Sequence, residues 1–450
     1  MLKYNYIKDK NFLLLFFGNL VSGIGSRIYG FGIALFLLDL TGKATVTATY
    51  IGIWSFIVFL CGPIAATFTD KWKKKVKVLY LTDFGRGIIY ISVGLLVSYF
   101  MKTNNTSMIL VVIYSALFFI AIQSAFFAPA TTALIPQLVE KNELVSASSI
   151  MQITRSVQTI AGLLFGAVLY LNFGIVLLMV INGISFILSA ISEMFIKYDT
   201  PKNLDRIILA ENNNVNKDRV QNSNSKIGKI IEHIYVEIKE AVRYIFHEGK
   251  PILMITLIVL VSTTLTAPWF SVGVPYMIKE YFTFDGVIAP EYLLALSEFA
   301  ESIGIIILSI VISIIASKFK IYQLFRIGGS LFILLAFLYY MIIRSFDVEI
   351  ITINMFIIGF ILINFMAGSI NAIVNAPLQA SMQKYIEPDK IGKVSMLIDC
   401  IGGILFPITA LLAGFFIDNY SIYYPLAMMI AGMVIITLIA FRSKELKKLT

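Results

Sequence analysis

The sequence predicts an all-helical membrane protein with twelve transmembrane helices. Of its 450 residues, 58% are apolar and only 14% are charged, and the mean hydropathy is +0.85. Soluble domains are nearer about 45–50% apolar and about 25% charged, so this composition excludes a soluble enzyme, a nucleic-acid-binding domain and a disordered chain. The apolar residues also fall into twelve runs longer than about 18 residues, the length of a membrane span. No run alternates apolar and polar residues at period two, which excludes a membrane barrel.

The twelve apolar runs give the expected limits of the spans. A helix rises about 1.5 Å per residue, so about 20 apolar residues cross about 30 Å of hydrocarbon. The predicted spans are Asn11–Leu38, Ala48–Thr69, Val78–Phe100, Met108–Ala130, Ser146–Tyr170, Ile175–Ile196, Ile252–Ile278, Tyr292–Ser317, Ile321–Ile343, Ile350–Ala376, Val394–Phe416 and Ile422–Phe441.

The distribution of Lys and Arg between the loops predicts the orientation. With the N-terminus in the cytoplasm, the inner segments hold 28 of these residues and the outer loops hold four. This imbalance satisfies the positive-inside rule. We therefore expect a multi-pass protein of the cell (plasma) membrane with cytoplasmic N- and C-termini. The first apolar run lacks a small-residue cleavage site, so we expect a retained span and not a signal peptide.

One long hydrophilic segment divides the spans six and six. We expect an N-terminal six-helix bundle at residues 1–197, a cytoplasmic linker at 198–250 and a C-terminal six-helix bundle at 251–450. Glu211–Lys226 is Asn-rich and predicts a solvated linker. Between Ile227 and Phe246 apolar residues recur at helical spacing. This pattern predicts either an amphipathic helix on the inner membrane surface or a soluble helix that connects the two halves.

The two halves contain matching positions at one constant offset. A shift of 248 residues superimposes Ala128-Pro129 on Ala376-Pro377, Gly162 on Ala410, and Gly166 on Gly414. Each half then has an Ala-Pro pair at the inner end of its fourth span and small residues four apart in its fifth. Because the halves have equal topology, we expect a pseudo-two-fold axis along the membrane normal.

The loop after the second span contains a charged motif. Residues 70–76 read DKWKKKV, and residues 83–86 read DFGR near the start of the third span. This pattern resembles the loop signature of the major facilitator superfamily (MFS), and in particular of its macrolide-efflux and enterobactin-exporter-like branch. Asn19, Ser22 and Gly25 in the first span and the segment Phe127–Ala130 also match that branch. The resemblance implies the MFS fold, with two rocking bundles around a central cavity, and export driven by the proton gradient.

The loop motif predicts a gate. Asp70 at the cytoplasmic end of a helix can accept charge-assisted hydrogen bonds from Lys74, Arg86 or a facing helix N-terminus. Bonds that form in one conformation and break in the other act as a latch. The gate or latch candidates are Asp70, Lys71, Lys74, Asp83 and Arg86. Alternatively, the lysines only set the topology and solvate the loop.

Polar and small residues form stripes on three spans. In the tenth span Asn364, Gly368, Asn371 and Asn375 lie at i, i+4, i+7 and i+11, on one helix face. Such stripes either line a water-accessible cavity or pack helices together. The resemblance favours the cavity, because spans one, four, seven and ten surround the substrate in that family. The predicted cavity residues are Asn19, Arg27, Gln123, Thr266, Trp269, Asn364 and Asn371.

Ionisable residues inside spans are candidates for proton coupling. A charge near the bilayer centre costs several kcal/mol unless it is paired or hydrated. Glu298 and Glu301 share a helix face and predict a proton carrier, or else a hydrated rim near the outer boundary. Asp399 and Arg155 predict either an ion pair between the halves or a coupling site.

The remaining residues predict a transporter without cofactors. The two cysteines, Cys61 and Cys400, and the two histidines, His233 and His247, form no ligand cluster, so we expect no metal. No phosphate loop and no nucleophile–base set is visible, which excludes direct ATP drive and an enzyme. The expected partners are a small amphipathic substrate of drug, macrolide or siderophore type, protons and the lipid bilayer, with a monomeric chain and no nucleic acid. The alternative is a flippase for lysophospholipid-type lipids.

Overall fold

A computed structural model describes most of the chain. The described residues are 9–71, 75–139, 144–197, 239–240, 242–245, 250–284, 286–315, 321–386 and 391–443. The predicted linker at 198–250 and its amphipathic helix therefore lie mostly outside the described residues. The side chains of Asp70 and Lys71, and the whole of Lys74, are also outside them.

The described residues form helices and contain no strand. In the first half of the chain the helices are α1 (Lys10–Thr41), α2 (Ala44–Lys71), α3 (Lys75–Lys102) and α4 (Thr106–Leu138). The next helical stretch is Leu144–Met194, which breaks at Gly174 with φ 71° and ψ −178°. Glycine adopts this positive φ without the steric cost of a side chain. We name the two legs α5 (144–173) and α6 (175–194).

The second half contains six more helices. Helix α7 starts at Lys250 and continues through local changes of helical type to Tyr281. It is followed by α8 (Pro290–Ile315), α9 (Ile321–Asp347), α10 (Ile353–Tyr385), α11 (Ile391–Asn419) and α12 (Tyr423–Arg442).

The helices match the predicted spans. Among the described residues, eleven helices are long and apolar enough to cross a membrane. One of them, Ile153–Met194, has 42 residues and contains the break at Gly174. Since about 20 residues suffice for one crossing, this stretch supplies two spans. The predicted all-helical class is therefore confirmed.

The chain forms two compact units. Unit 1 comprises Met1–Ile33 and Phe56–Glu237, and unit 2 comprises Ala34–Ser55 and Ile238–Thr450. The C-terminal part of α1 and the N-terminal part of α2 thus belong to unit 2. Unit 1 has an apolar cluster at the inner ends of its helices, including Leu15, Leu79, Leu134 and Ile196. A corresponding cluster in unit 2 includes Ile255, Ile258, Phe325, Leu378 and Ile436.

Small residues allow close helix crossings in both units. In unit 1 an ideal Cβ built on Gly87 of α3 would lie 2.8 Å from the carbonyl oxygen of Gly183 on α6. In unit 2 a Cβ on Gly368 of α10 would collide with the carbonyl oxygen of Glu301 on α8. Only glycine lets these backbones approach so closely. Gly368 of the predicted polar stripe therefore packs helices together.

Candidate functional site

Unit 1 contains a cavity of about 350 Å³ between its helices. Polar side chains of α1 and α5 form much of its wall, and two phenylalanines complete it. The lining residues are Asn19, Ser22, Gly23, Ser26, Arg27, Arg86, Phe127, Arg155, Gln158 and Phe186. Two of the predicted cavity residues, Asn19 and Arg27, are thus brought together with Arg155, which the sequence marked for another role.

Contacts between α1 and α5 fix the shape of this cavity. The amide Nε2 of Gln158 donates to the carbonyl oxygen of Asn19 at 2.8 Å and to its Oδ1 at 3.1 Å. One turn further along, Gly162 packs against the backbone and Cβ of Arg27. Arg27 and Arg155 are both exposed, so their charged ends remain free to be hydrated. The cavity wall is therefore polar and basic.

Arg86 forms the inner wall of this cavity and is nearly buried. Its guanidinium forms an ion pair with Asp83 one turn earlier on α3, whose carboxylate is fully buried. The guanidinium lies 4.5 Å from the ring centre of Phe127 and 4.4 Å from that of Phe186. These two rings add cation–π stabilisation on a desolvated charge. Of the five predicted latch residues, the described side chains are those of Asp83 and Arg86, which the structure pairs.

Gln123 lies outside the unit 1 cavity. Its side-chain oxygen packs on Gly85 of α3 and has no hydrogen-bond partner among the described residues. Glu193 of α6, by contrast, is fully buried and lies near Asp83 and Arg86. Sequence reasoning missed Glu193. Its place at the end of an apolar span was the one signal that could have identified it.

Unit 2 contains a larger cavity of about 520 Å³. Most of its wall is apolar, with side chains from α7, α8, α9, α10 and α12. The polar groups in the lining are Ser262, Thr263, Thr266, Ser271, Glu301, Asn371 and Asn375. Three predicted residues, Thr266, Glu301 and Asn371, therefore face one space. The side chain of Asn375 donates to that of Asn371, which fixes the orientation of both amides.

The wall that α7 contributes has an unusual backbone. Three segments are π-helical: Ser262–Thr266, Trp269–Gly273 and Met277–Tyr281. π-Helical turns widen a helix locally and occur often at functional sites. Pro268 and Pro275 lie between these segments and lack the N–H of a regular helix. These prolines are the only sequence signal of the irregularity, and the sequence reading did not use them.

Two predicted cavity residues are buried in helix packing and are not in the lining of this cavity. Trp269 is fully buried, and its ring lies edge-on to Tyr339 at 6.4 Å between centres. Asn364 accepts a hydrogen bond from the hydroxyl of Tyr339 at 2.9 Å and donates to the carbonyl of Phe360 at 2.8 Å. The polar stripe of α10 thus changes role along its length. Asn364 and Gly368 join helices, and Asn371 and Asn375 face the cavity.

The other proton-coupling candidates lie apart from this cavity. Glu298 is half-buried on α8, one turn before Glu301. Asp399 is exposed on α11 in unit 2, and Arg155 is in unit 1. The predicted pairing of Asp399 with Arg155 stays a prediction. Over the described ranges, no group of three or more His, Cys, Asp or Glu side chains is arranged to hold a metal ion.

Charged contacts join the ends of several helices in unit 2, on the side that the sequence predicts to be the outer one. The Nζ of Lys279 on α7 contacts Asp39 Oδ1 of α1 at 2.9 Å and also the carboxylate of Glu291 on α8. The Asp418 carboxylate of α11 accepts from the backbone N–H groups of Ala44 at 2.8 Å and Thr45 at 2.9 Å. This carboxylate caps the N-terminus of α2, where the helix dipole favours negative charge. We call these six residues the outer network: Asp39, Ala44, Thr45, Lys279, Glu291 and Asp418.

The family follows from comparison with known proteins. A family model described as Major Facilitator Superfamily matches residues 15–407. The chain belongs to the Major Facilitator Superfamily. This confirms the superfamily indicated by the loop motif, and it makes the chain a membrane transporter and not an enzyme.

One curated relative and many solved structures are similar to this MFS chain. Over 188 residues it is 28% identical to "Uncharacterized MFS-type transporter YkuC" of Bacillus subtilis (strain 168), a match that covers 41% of each chain. The match thus spans about two-fifths of that relative's length.

Three solved transporters have the same fold. A bacterial homologue of the iron transporter ferroportin in an inward-facing state is 15% identical, with TM-score 0.66 over 97% of this chain and 99% of the other. The nucleoside transporter NupG is 11% identical, with TM-score 0.64 over 96% and 98%. A POT family transporter in complex with 5-aminolevulinic acid is 12% identical, with TM-score 0.69 over 95% and 94%. At these identities the likeness shows the MFS fold alone.

Proposed function

We propose that this MFS protein exports a small amphipathic molecule, of drug, macrolide or siderophore type, by proton-coupled alternating access. The observation that carries the proposal is the cavity of unit 2. Its volume of about 520 Å³ suits a drug-sized ligand. Its wall combines apolar side chains with hydroxyl and amide groups and the carboxylate of Glu301. An apolar wall with few polar groups binds an amphipathic molecule and fixes its orientation.

The charges of the two cavities differ in sign. Unit 2 contributes the carboxylate of Glu301, whereas unit 1 contributes Arg27, Arg86 and Arg155. A cationic or donor group on a substrate can form a charge-assisted hydrogen bond with Glu301, and an anionic or acceptor group can form one with the arginines. Each charge is also expensive to leave dry, so water or substrate must satisfy it when the cavity is occupied.

Glu301 supports the proton coupling in this proposal. Its surroundings in the cavity are mainly apolar, with Thr266, Asn371 and Phe270 also in the lining. A hydrogen-bond donor or cationic group on the substrate stabilises the ionised carboxylate, so substrate binding displaces the proton from Glu301. Substrate and proton then compete for one site, which is the requirement for antiport.

The outer network supports alternating access. Charged contacts between helix ends hold one conformation and must break when that end of the protein opens. In the proposed cycle the contact of Lys279 with Asp39 and Glu291 closes the outer end. Asp70, Lys71 and Lys74, with the Asp83–Arg86 pair, form the corresponding latch at the cytoplasmic end. The bundles at 1–197 and 251–450 rock about the linker at 198–250 in a monomer of the plasma membrane, with both termini in the cytoplasm.

Flux in reconstituted vesicles tests the proposed function. Purified protein in vesicles with an imposed pH gradient is given a panel of fluorescent amphipathic drugs and iron-loaded siderophores, with protein-free vesicles as control. The proposal predicts that at least one compound drives measurable proton movement. Flux of a compound without proton movement would contradict antiport and indicate facilitated transport. Flip of a fluorescent lysophospholipid, with no response to the panel, would instead favour a lipid flippase.

A further inference from the structure

A group of acids in unit 1 lies in the protein interior. Asp83 on α3 and Glu193 on α6 are both fully buried, and Arg86 is nearly so. The hydroxyl of Ser189 is in hydrogen-bond contact with Asp83 and lies 3.5 Å from Glu193 Oε1. The two carboxyl groups thus share one hydroxyl, and Arg86, which is paired with Asp83, lies close enough to Glu193 to interact with it electrostatically. We call Asp83, Arg86, Ser189 and Glu193 the buried cluster.

The charges of the buried cluster do not balance when all groups are ionised. Two carboxylates and one guanidinium leave one net negative charge in a site with almost no water. Such an uncompensated buried charge is strongly unfavourable. In the lining of the adjacent cavity the other charged groups are Arg27 of α1 and Arg155 of α5, which are exposed. Tyr90, stacked on Phe186 at 5.7 Å, is the nearby tyrosine.

The hydrogen bonds of the buried cluster do not balance either. Asp83 Oδ2 and Glu193 Oε2 are buried acceptors without a hydrogen-bond partner among the described residues. An ionised carboxylate has acceptors only, so two of them cannot satisfy each other. One added proton turns one of these acceptors into a donor and cancels the net charge in the same step.

We infer that the buried cluster is a proton-binding site in which Asp83 and Glu193 share one proton while Arg86 pairs with the remaining carboxylate. Arg86 separates the acids from the cavity of unit 1, since it lines that cavity and contacts Asp83. Movement of its guanidinium into the cavity would admit water to the acids, which gives the proton a path to exchange with the cavity. This inference deepens the proton coupling proposed above by naming a second site for it.

Infrared difference spectroscopy tests the site without any transport substrate. The purified full chain in lipid nanodiscs is compared at neutral and alkaline pH, in H₂O and D₂O, and the C=O band of protonated carboxyl groups is recorded. Wild-type protein should show a band that persists at neutral pH and shifts in D₂O. Glu349→Gln, which removes an exposed carboxylate outside the buried cluster, is the matched control and should keep that band.

Three variants give distinct expected spectra. Glu193→Gln leaves one acid for one guanidinium, so the band should be lost. Asp83→Asn should remove it in the same way, although Glu193 is still present. Arg86→Gln leaves two acids without a cation, so the band should grow by about twofold, since two carboxyl groups are then protonated.

The opposite results overturn the inference. An unchanged band in both Glu193→Gln and Asp83→Asn would show that the cluster holds no proton. Loss of the wild-type band on replacing choline by sodium at constant ionic strength would assign the site to a metal cation instead. Both readouts are independent of vesicle flux, so a failed transport assay leaves this test intact.

Discussion

At the scale of single residues, the surroundings of an acid determine what it can do. Glu301 faces a largely apolar cavity, Glu291 is paired with Lys279, and Glu193 shares a buried site with Asp83. Glu298, one turn from Glu301 on the same helix, is not in the lining of the cavity. Four carboxyl groups in similar apolar sequence thus have four different environments, and only the cavity acid can meet a substrate directly.

Replacing Glu301 by Gln tests its role in coupling. Removal of the titrating group should reduce proton-driven flux at least about tenfold, which corresponds to about 1.4 kcal/mol. Exchange of labelled substrate at equal pH on both sides should persist, because it needs no net proton movement. Glu298→Gln is the matched control and should keep most of the driven flux. Equal losses in both variants would show that Glu301 has no special part.

The sequence could predict part of the site at this scale. The sequence alone identified Arg27, Asn371 and Glu301, because polar residues in apolar spans are rare and energetically costly. Asn364 and Trp269 fit the same pattern but pack on Tyr339. Helical spacing identifies a shared face, and it does not say whether a cavity or a neighbouring helix covers that face. Glu193 was missed because its partner, Asp83, is 110 positions away in sequence.

At the scale of helices, close crossings and caps determine the packing. Gly368 on α10 lets this helix contact the backbone of α8 at Glu301. Asp418 on α11 caps α2 across a sequence separation of 374 residues. Both contacts join different helices, so both influence how the helices move during transport.

Gly368→Ala tests the close crossing of α8 and α10. The added Cβ would meet the Glu301 carbonyl carbon at 2.7 Å, so the backbones must separate. We expect a loss of stability of about 1–3 kcal/mol, measured as a lower thermal midpoint in detergent. Gly402→Ala is the matched control, since its nearest contact is Thr263 Oγ1 at 3.8 Å. The control should be neutral or stabilising by up to about 1 kcal/mol. Similar midpoints for the two variants would refute the close crossing.

Asp418→Ala tests the cap of α2. It removes the acceptor for two backbone N–H groups, so we expect a loss of about 0.5–2 kcal/mol in stability. Amide hydrogen exchange at residues 44–47 should accelerate, as measured by mass spectrometry. The neighbouring Asn419→Ala is the control, because Asn419 bonds only to the carbonyl of Phe415 on its own helix. Unchanged exchange at the start of α2 in Asp418→Ala would contradict the cap.

The sequence predicted the helices better than their irregularities. Apolar length located all twelve spans, and Gly174 lies in the predicted gap between the fifth and sixth. The π-helical turns of α7 were not predicted, because periodicity over a window of residues averages out a single inserted residue per turn. Pro268 can bend a helix, widen it or leave it unchanged. The outcome depends on tertiary contacts, which a local sequence pattern does not contain.

At the scale of the whole molecule, the proposed transport cycle needs ends that open in turn. The outer network joins α1, α2, α7, α8 and α11 through charged side chains and one helix cap. Lys279 is the centre of this network, with 14% of its side chain exposed. Glu291 is 4% exposed, so its ion pair with Lys279 holds α7 and α8 together more firmly than an isolated surface pair would, whereas Asp39 is 37% exposed.

A reversible cross-link across the outer network tests whether the protein works by alternating access. The chain has two cysteines, so Cys61→Ser and Cys400→Ser provide a thiol-free background for Asp39→Cys with Lys279→Cys. A short bis-methanethiosulfonate reagent forms a disulfide with each thiol, releases methanesulfinate and so joins the two positions in vesicles. Each single-cysteine variant is the control. The account predicts that cross-linking abolishes substrate-driven flux and that a reductant restores it, because the outer end must open in every cycle. Undiminished flux through fully cross-linked protein would contradict it.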